Sequence, residues 1–521
     1  MTPSTTLPRR HLLAVSAAAL SAAGLASWTG AAQAQATAAA APKPLPGYAG
    51  WKAGNALIVH SSSTLETRRG AFGTSVVTPS SQLYVRNNLP APDAAILDDR
   101  NAWVVRVEGV KNPREITLAE LKTLGLETVA TVLQCSGNGR GFFPTKPSGT
   151  PWTVGAAGCV VWSGVPVRNV VAALGGVASG MAYVTGTGGE KLPEGVDPLT
   201  VLVERSVPLK AMEDAILAWE MNGEPLSLAH GGPLRLIVPG YQGVNNIKYI
   251  KRLAFTEAQS QARIMQHGYR MTPPGAKASP DQPSVWEMTV KSWINGPLPE
   301  QGPLKPGMVQ VHGVAFGGTR GIKGVEVSVD GGKTWQAAQL IGPDLGRFAW
   351  RQFVLPVRLG AGTHVLASRA TDTAGNVQPE QREENVGGYN NASWADHASR
   401  CRWPELVAQP TPLRRLAPLA CTLALAGLAT ASLAADPAEL ARGKQLFLTL
   451  QPACAVCHTL QAAGAQGQVG PVLDEIKPDA NRVLSALRNG IGAMPSFAEK
   501  MTEKDMQAVA RFVAHSTGAA P

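Results

Sequence analysis

Cysteine is scarce in this chain: six in 521 residues, too few for a disulfide-stapled scaffold. Charge is scarce too. Only 16% of residues are Asp, Glu, Lys or Arg, and the acidic side is the poorer, with 37 against 47. No run of Lys or Arg of the nucleic-acid-binding kind occurs, so the net charge of +10 favours anions and no nucleic acid is expected. From Asp436 onward eight acidic residues balance eight basic ones, which puts the whole excess upstream. A collagen, a coiled coil and a polytopic membrane protein are excluded as well. What remains is 44% hydrophobic with 55 Gly and 40 Pro, a mixture that suits strands and turns better than long surface helices. At about 150 residues per domain, the length predicts three to four domains.

Residues 1–34 read as a twin-arginine-type signal peptide. Arg9-Arg10 precede an Ala/Leu-rich run to about Ala26, and Ala32-Gln33-Ala34 offers a cleavage site. Export to the periplasm follows as an expectation, by a route that carries folded, cofactor-loaded protein. A second segment of the same kind, 411–435, begins with Arg414-Arg415 and stays uncharged from Leu416 to Ala435. As a membrane span it would strand the downstream haem motif in the cytoplasm and set its arginines against the positive-inside rule. No stable membrane span is therefore expected. The segment reads as a second signal-peptide-like stretch or linker, as though two exported polypeptides had been joined.

The stretch 436–518 carries Cys454-Ala455-Val456-Cys457-His458. Two thiols spaced by two residues can each add to a haem vinyl group, and the next residue can turn its imidazole to the iron. A zinc site would need a second ligand pair, and none follows. Met494, in a turn after the helical stretch Asn481–Arg488, is the candidate sixth ligand. Met501 and Met506 compete with it, but Met506, Val509, Ala510 and Val513 recur at helical spacing and read as core. The stretch resembles a small monohaem class I cytochrome c, an all-α fold with one covalent haem c. In that family a loop matching Gly470-Pro471 packs on the histidine side of the haem.

Residues 285–405 alternate as strands do, in Val309 and Val311, then Val325, Val327 and Val329, then Val365–Ala370. Asp330-Gly331-Gly332-Lys333-Thr334-Trp335 is a hairpin signal. An immunoglobulin-like β-sandwich is predicted, without the Cys–Trp–Cys set of a true immunoglobulin domain.

Between 48 and 265, apolar β-branched segments (Trp103–Val107, Val129–Leu133, Leu234–Val238) alternate with helix-like ones (Leu118–Leu124, Val167–Leu174), predicting an α+β domain. Three blocks carry potential chemistry. Cys135 ends a buried strand where a glycine loop begins, so its thiolate could ligate a soft metal, and Arg140 follows five residues on. Buried Cys beside a surface Arg is the plainer alternative. Arg86 closes a short strand, and its planar fork suits a tetrahedral oxyanion. Taken singly, it also reads as a surface ion-pair partner. His230 and Arg235 bracket glycines ahead of a buried strand and could hold a phosphate-bearing cofactor, though a lone histidine is more often structural. Cys159 and Cys401 read as packing residues.

In this order and spacing the three blocks resemble the sulfite oxidase family of molybdenum enzymes, and the sandwich resembles that family's dimerisation domain. With the haem stretch, the resemblance is to bacterial sulfite dehydrogenases, which pair a molybdenum subunit with a cytochrome subunit. It implies molybdenum-molybdopterin as cofactor, with Cys135 as the protein thiolate on the metal. Arg86 and Arg140 would line the anion pocket, Tyr269 would be the active-site tyrosine, and His230, Arg235 and Lys248 would contact the pterin phosphate. The implied activity is oxidation of sulfite or a related sulfur oxyanion, with an external cytochrome c as final acceptor and a homodimer formed through the sandwich. Two positions depart from the family. Asn88 stands where many members have His, and Asn245 stands where vertebrate members have Arg. A sulfane-sulfur dehydrogenase or another molybdenum oxidoreductase is the alternative enzyme, and an exported haem electron carrier the non-enzyme alternative.

Overall fold

The computed structural model describes residues 43–404, 436–467, 469–491 and 494–519. Both leader-type segments lie outside these residues, as do Gly492 and Ala493 beside Met494. No described helix is long and apolar enough to cross a membrane.

The first domain is built on three sheets. The small outer one orders Leu57–Ser61, Thr64–Thr67 and Val85–Arg86, so Arg86 leaves an edge strand and pairs with Thr64. The second runs Glu224–Pro225, Ile216–Met221, Ala157–Pro166, Glu127–Gln134, with Arg235–Ile237 also paired to Ile216–Met221. Its strand Ala157–Pro166 is buried at nine of ten positions, which is why an almost uninterrupted apolar sequence can serve there. The neighbour Glu127–Gln134 starts half-exposed and ends buried, and this burial delivers Cys135 to the interior. The third sheet orders Arg114–Thr117, Val104–Glu108, Arg252–Thr256, Tyr183–Thr187 and Glu204–Pro208. Helices are few. Val167–Ala173 forms as expected, whereas Leu118–Leu124 gives one α turn followed by a 3-10 turn. Only Leu118 and Leu121 are buried there, too little apolar face for a longer helix.

The second domain is the sandwich. One sheet orders Lys291–Gly296, Gly307–Phe316, Arg351–Leu359, Gln339–Ile341; the other Gln336–Ala337, Ile322–Ser328, Gly362–Asp372, Ser399–Trp403. The Asp330 turn joins Ile322–Ser328 to Gln336–Ala337 as a hairpin. Val329 falls just outside the strand, because the Asp330 carboxylate collects the Lys333 and Thr334 amides and turns the chain. The two domains share an apolar cluster in which Val132 and Cys159 of the Cys135 sheet meet Trp293, Phe316 and Trp350 of the sandwich. Cys401 is packed in the sandwich core.

The third domain is helical, with Pro437–Thr449 crossing Glu503–Ser516 and Ala480–Asn489 beside them. The crossing is close: a Cβ on Gly443 would lie 2.2 Å from the Ala508 carbonyl oxygen, so only glycine lets Phe447 and Phe512 meet edge to face. Met506 is buried in that core. This domain lies against the first one. Lys43 donates to the Glu475 carbonyl (2.7 Å), the Ser62 amide to the Glu475 carboxylate (3.2 Å), and Arg482 to the Gly149 carbonyl.

Candidate active site and haem pocket

The loop after Glu127–Gln134 is held from both ends. The Cys135 amide donates to the Ala156 carbonyl, and the Asn138 amide returns to the Cys135 carbonyl, both within 2.9 Å. That tight turn leaves the thiol almost buried, 8% exposed, at the wall of a cavity. Arg140 is buried on the same wall. Its guanidinium donates to the carbonyls of Gly387 (2.9 Å) and Thr150 (3.2 Å), with no carboxylate partner among the described residues. Arg86 enters from the outer sheet, donating to the Asn87 carbonyl and to Asn88 Oδ1 (2.7 Å). Tyr269 donates to that same Oδ1 (3.2 Å), so the Asn88 amide ties the arginine to the tyrosine. Asn245, the other departure, faces elsewhere. It accepts from Arg205 and donates to the Val285 and Trp286 carbonyls, so it serves as a fold residue here.

Behind Cys135 a smaller cavity is lined by Arg86, Glu190, His230, Arg235 and Lys248. Its polar groups are poorly matched. Burial, reinforced by Lys52, Lys248 and Arg235, holds the His230 imidazole well below its ordinary pKa, and its Nε2 has no hydrogen-bond partner among the described residues. Burial and the adjacent Arg235 likewise depress Lys248, whose Nζ donates, among the described residues, to Asn87 Oδ1 and the Ala229 carbonyl, each at 2.6 Å. Lys52, outside the cavity lining but felt electrostatically by His230 and Lys248, is lowered by burial to about 7. The one carboxylate lining this cavity, Glu190, is itself pushed up to about 7 by burial, and its Oε2 is unpartnered. A buried arginine beside buried bases that burial keeps from charging, with no stable counter-charge, forms a receptor that a dianion such as a phosphate monoester would complete and charge. A molybdopterin phosphate fits this donor set, and Cys135, which lines both cavities, could supply a sulfur to its metal.

The main cavity, about 420 Å³, is continuous from Cys135, Arg86, Arg140 and Tyr269 to Cys454, Cys457, His458 and Met494. Its far end is apolar, walled by Phe447, Leu487, Phe497, Val509 and Val513. The helix Cys454–Cys457 is one turn, which places both thiols on one side; they form no disulfide, and burial raises both, Cys454 to about 12. His458 Nδ1 lies 3.0 Å from the Pro471 carbonyl, and the ring packs so closely on Gly470 that a Cβ there would lie 2.3 Å from Cε1. With Nδ1 so engaged, Nε2 is the nitrogen left for a metal. Met494 exchanges both backbone hydrogen bonds with Ile491, each at 2.9 Å. Two attachable thiols, an oriented imidazole, a thioether and an apolar slot fit haem c. Arg482 reaches the same cavity from the haem side, its pKa lowered by burial and then by the facing Arg140.

The structure thus brings Arg86, Cys135, Arg140 and Tyr269 to one cavity with the four haem-side residues, and gathers His230, Arg235 and Lys248 in the cavity behind. Sequence reasoning missed Lys52, Arg482, and Tyr389, which stacks on Tyr269 with ring centroids 5.1 Å apart. Lys52 and Arg482 have no local motif. Tyr389 had a signal, the cluster Val386-Gly387-Gly388-Tyr389-Asn390-Asn391, too rich in Gly and Asn for a strand of the sandwich.

Comparison with known proteins bears on this arrangement. Residues 90–264 match the oxidoreductase molybdopterin binding domain, 282–399 the Mo-co oxidoreductase dimerisation domain, and 438–513 the cytochrome C oxidase, cbb3-type, subunit III family. A sulfite oxidase of Arabidopsis thaliana is 32% identical over 357 residues, covering 63% of this chain and 89% of that protein. The chain belongs to the sulfite oxidase family. A Gallus gallus sulfite oxidase is 31% identical over 61% of this chain and 72% of its own length. The solved sulfane dehydrogenase SoxCD from Paracoccus pantotrophus superposes with a TM-score of 0.56 at 26% identity, covering 66% of this chain and 87% of that one. This family member is a molybdenum oxidoreductase that carries its own c-type cytochrome domain, with molybdenum-molybdopterin and haem c as cofactors.

Proposed function

We propose that this chain is a periplasmic sulfite dehydrogenase that oxidises sulfite to sulfate and passes the electrons through its own haem to an external cytochrome c. The observation carrying this reading is the single cavity that joins the Cys135 wall to the Cys454–His458 wall. When bound, the molybdenum cofactor supplies oxygen-atom transfer with two-electron oxidation, and the haem supplies one-electron transfer. The chain supplies the rest. Arg86 and Arg140 place two permanent positive charges where the anion enters, in a recess with little water to screen them. Asn88 holds Arg86 and Tyr269 in register, and the phenol can turn its one proton from Asn88 Oδ1 to a substrate oxygen. Contacts of Lys43 and Arg482 keep the cytochrome domain docked and so raise the local concentration of acceptor. The leader at 1–34 and the second stretch at 411–435 support export by the twin-arginine route, and the dimerisation domain supports a homodimer.

One observation favours a sulfane-sulfur substrate as a second reading. Asn88 is neutral where many family members have His, which lowers the positive charge available to a small dianion. A steady-state panel decides between them. Haem reduction should be fastest with sulfite; a clear preference for a sulfane-sulfur chain, with sulfite inert, would transfer the assignment.

A further inference from the structure

We infer that Tyr389 is a substrate-recognition residue, a neutral hydrogen-bond donor to the oxyanion that the sandwich-side chain inserts between Arg140 and Tyr269. The inference rests on the oxyanion reading above and names a contact that the three sequence blocks do not contain.

The segment 387–391 is laced along the loop that carries Cys135. The Gly387 carbonyl accepts from Arg140 Nε (2.9 Å), the Asn390 amide donates to the Ser136 carbonyl (3.0 Å), and the Asn391 side chain donates to the Gly139 carbonyl (3.1 Å). Three bonds over five residues fix Tyr389 in register with Ser136–Arg140. Its own backbone is satisfied by one side chain, Asn385, which accepts from the Tyr389 amide and donates to its carbonyl, both at 2.9 Å. The ring is gripped as well, stacked on Tyr269 at an interplanar angle of 23° and with the Arg140 guanidinium 5.3 Å from its centroid.

Everything about this residue is therefore fixed and paired except its hydroxyl. The side chain is 6% exposed, lines the cavity that holds Cys135, and its phenol has no hydrogen bond among the described residues. An unpaired phenol in the wall of a cavity lined by three arginines calls for an acceptor, and an anionic oxygen is the acceptor such a cavity selects. Burial also pushes the phenol up to about 12, so it stays a donor throughout the working pH range. A donor that leaves the cavity's charge unchanged would discriminate by geometry: it rewards a compact oxyanion with an oxygen directed at the ring edge, and gives nothing to a bare sulfur chain.

Tyr389→Phe in the full chain carrying both cofactors tests this, because the phenylalanine keeps the stack and the arginine contact and removes only the hydroxyl. The expected result is a KM for sulfite raised about tenfold, with most of the loss in KM and not in kcat, together with about tenfold weaker equilibrium binding of sulfate measured by calorimetry. Tyr389→Leu should add a loss in kcat by freeing Tyr269. Unchanged sulfate affinity in Tyr389→Phe would overturn the inference. Sulfate binding needs no turnover, so that outcome stays separate from failure of the sulfite assignment, which would show as a wild-type chain that binds sulfate but leaves its haem oxidised with sulfite.

Discussion

The two ends of the main cavity are built on opposite plans. The haem end is assembled within a single domain and its walls are apolar, so what it needs is shape, two thiols for attachment and two ligands, one nitrogen and one sulfur. The Cys135 end draws Arg86 from an edge strand, Cys135 and Arg140 from a strand end, Tyr269 from after the first domain and Tyr389 from the sandwich side. Behind it stand Arg235 and the buried bases His230 and Lys248, whose charging burial opposes until an anion arrives. The haem slot is walled by apolar side chains, whereas the Cys135 end gathers arginines and buried bases in advance of its ligands. Such gathering costs stability in the empty protein that is returned when anions bind, which is the usual arrangement where electrostatics are preorganised.

The contrast can be broken most severely at Cys135. Cys135→Ser should abolish sulfite-driven haem reduction, by more than the roughly 10–100-fold typical of outer-shell metal partners, while covalent haem per chain stays the same. If haem content fell too, the two ends would not be independently built. Arg86→Met should raise KM for sulfite by roughly 10–100-fold, the weight of a charge-assisted hydrogen bond to an anion, and a steady-state titration reads it. At the other end Met494→His should leave sulfite affinity unaltered and lower the haem reduction potential, measured by redox titration.

The buried bases have their own pH signature. Lys52 donates to the Ser80 and Leu83 carbonyls and meets no carboxylate among the described residues, and burial lowers it from 10.5 to about 7. Between those values the unfolded chain holds more protons than the folded one, so this group makes the cofactor-free protein more stable as pH rises from about 7 towards 10.5. Below about 7 its full penalty applies. Urea midpoints of cofactor-free protein across that window should rise with pH, and Lys52→Met should flatten the rise. The smallest effect is expected at the seam. Arg482→Ala removes its bond to the Gly149 carbonyl and should slow haem reduction only a few-fold, since Lys43 and Ser62 still hold Glu475.

How much could be read from the sequence follows the same division. Cys454, Cys457 and His458 are contiguous, so local helix geometry alone points to haem; only the choice of Met494 over Met501 needed the wider stretch. The Val309–Val311 and Val325–Val327 alternations gave the sandwich because a two-layer fold repeats every two residues along each strand. The Cys135 site was legible block by block, and its assembly came from resemblance, because no local period encodes a meeting between residues 86, 135 and 269. Tyr389 and Lys52 escaped for that reason: each acquires its role from tertiary contacts with segments more than a hundred residues away in one case and from burial in the other. Asn88 and Asn245 looked alike in sequence, as two lost positive charges, yet only Asn88 lies in the cavity while Asn245 braces Arg205 and the 285–286 backbone.

The most direct measurement is anaerobic mixing of the full chain, carrying both cofactors, with sulfite while the haem absorbance is followed. The account predicts haem reduction within a single turnover, absent in Cys135→Ser. A chain with molybdenum and covalent haem in place whose haem stays oxidised in sulfite would contradict it.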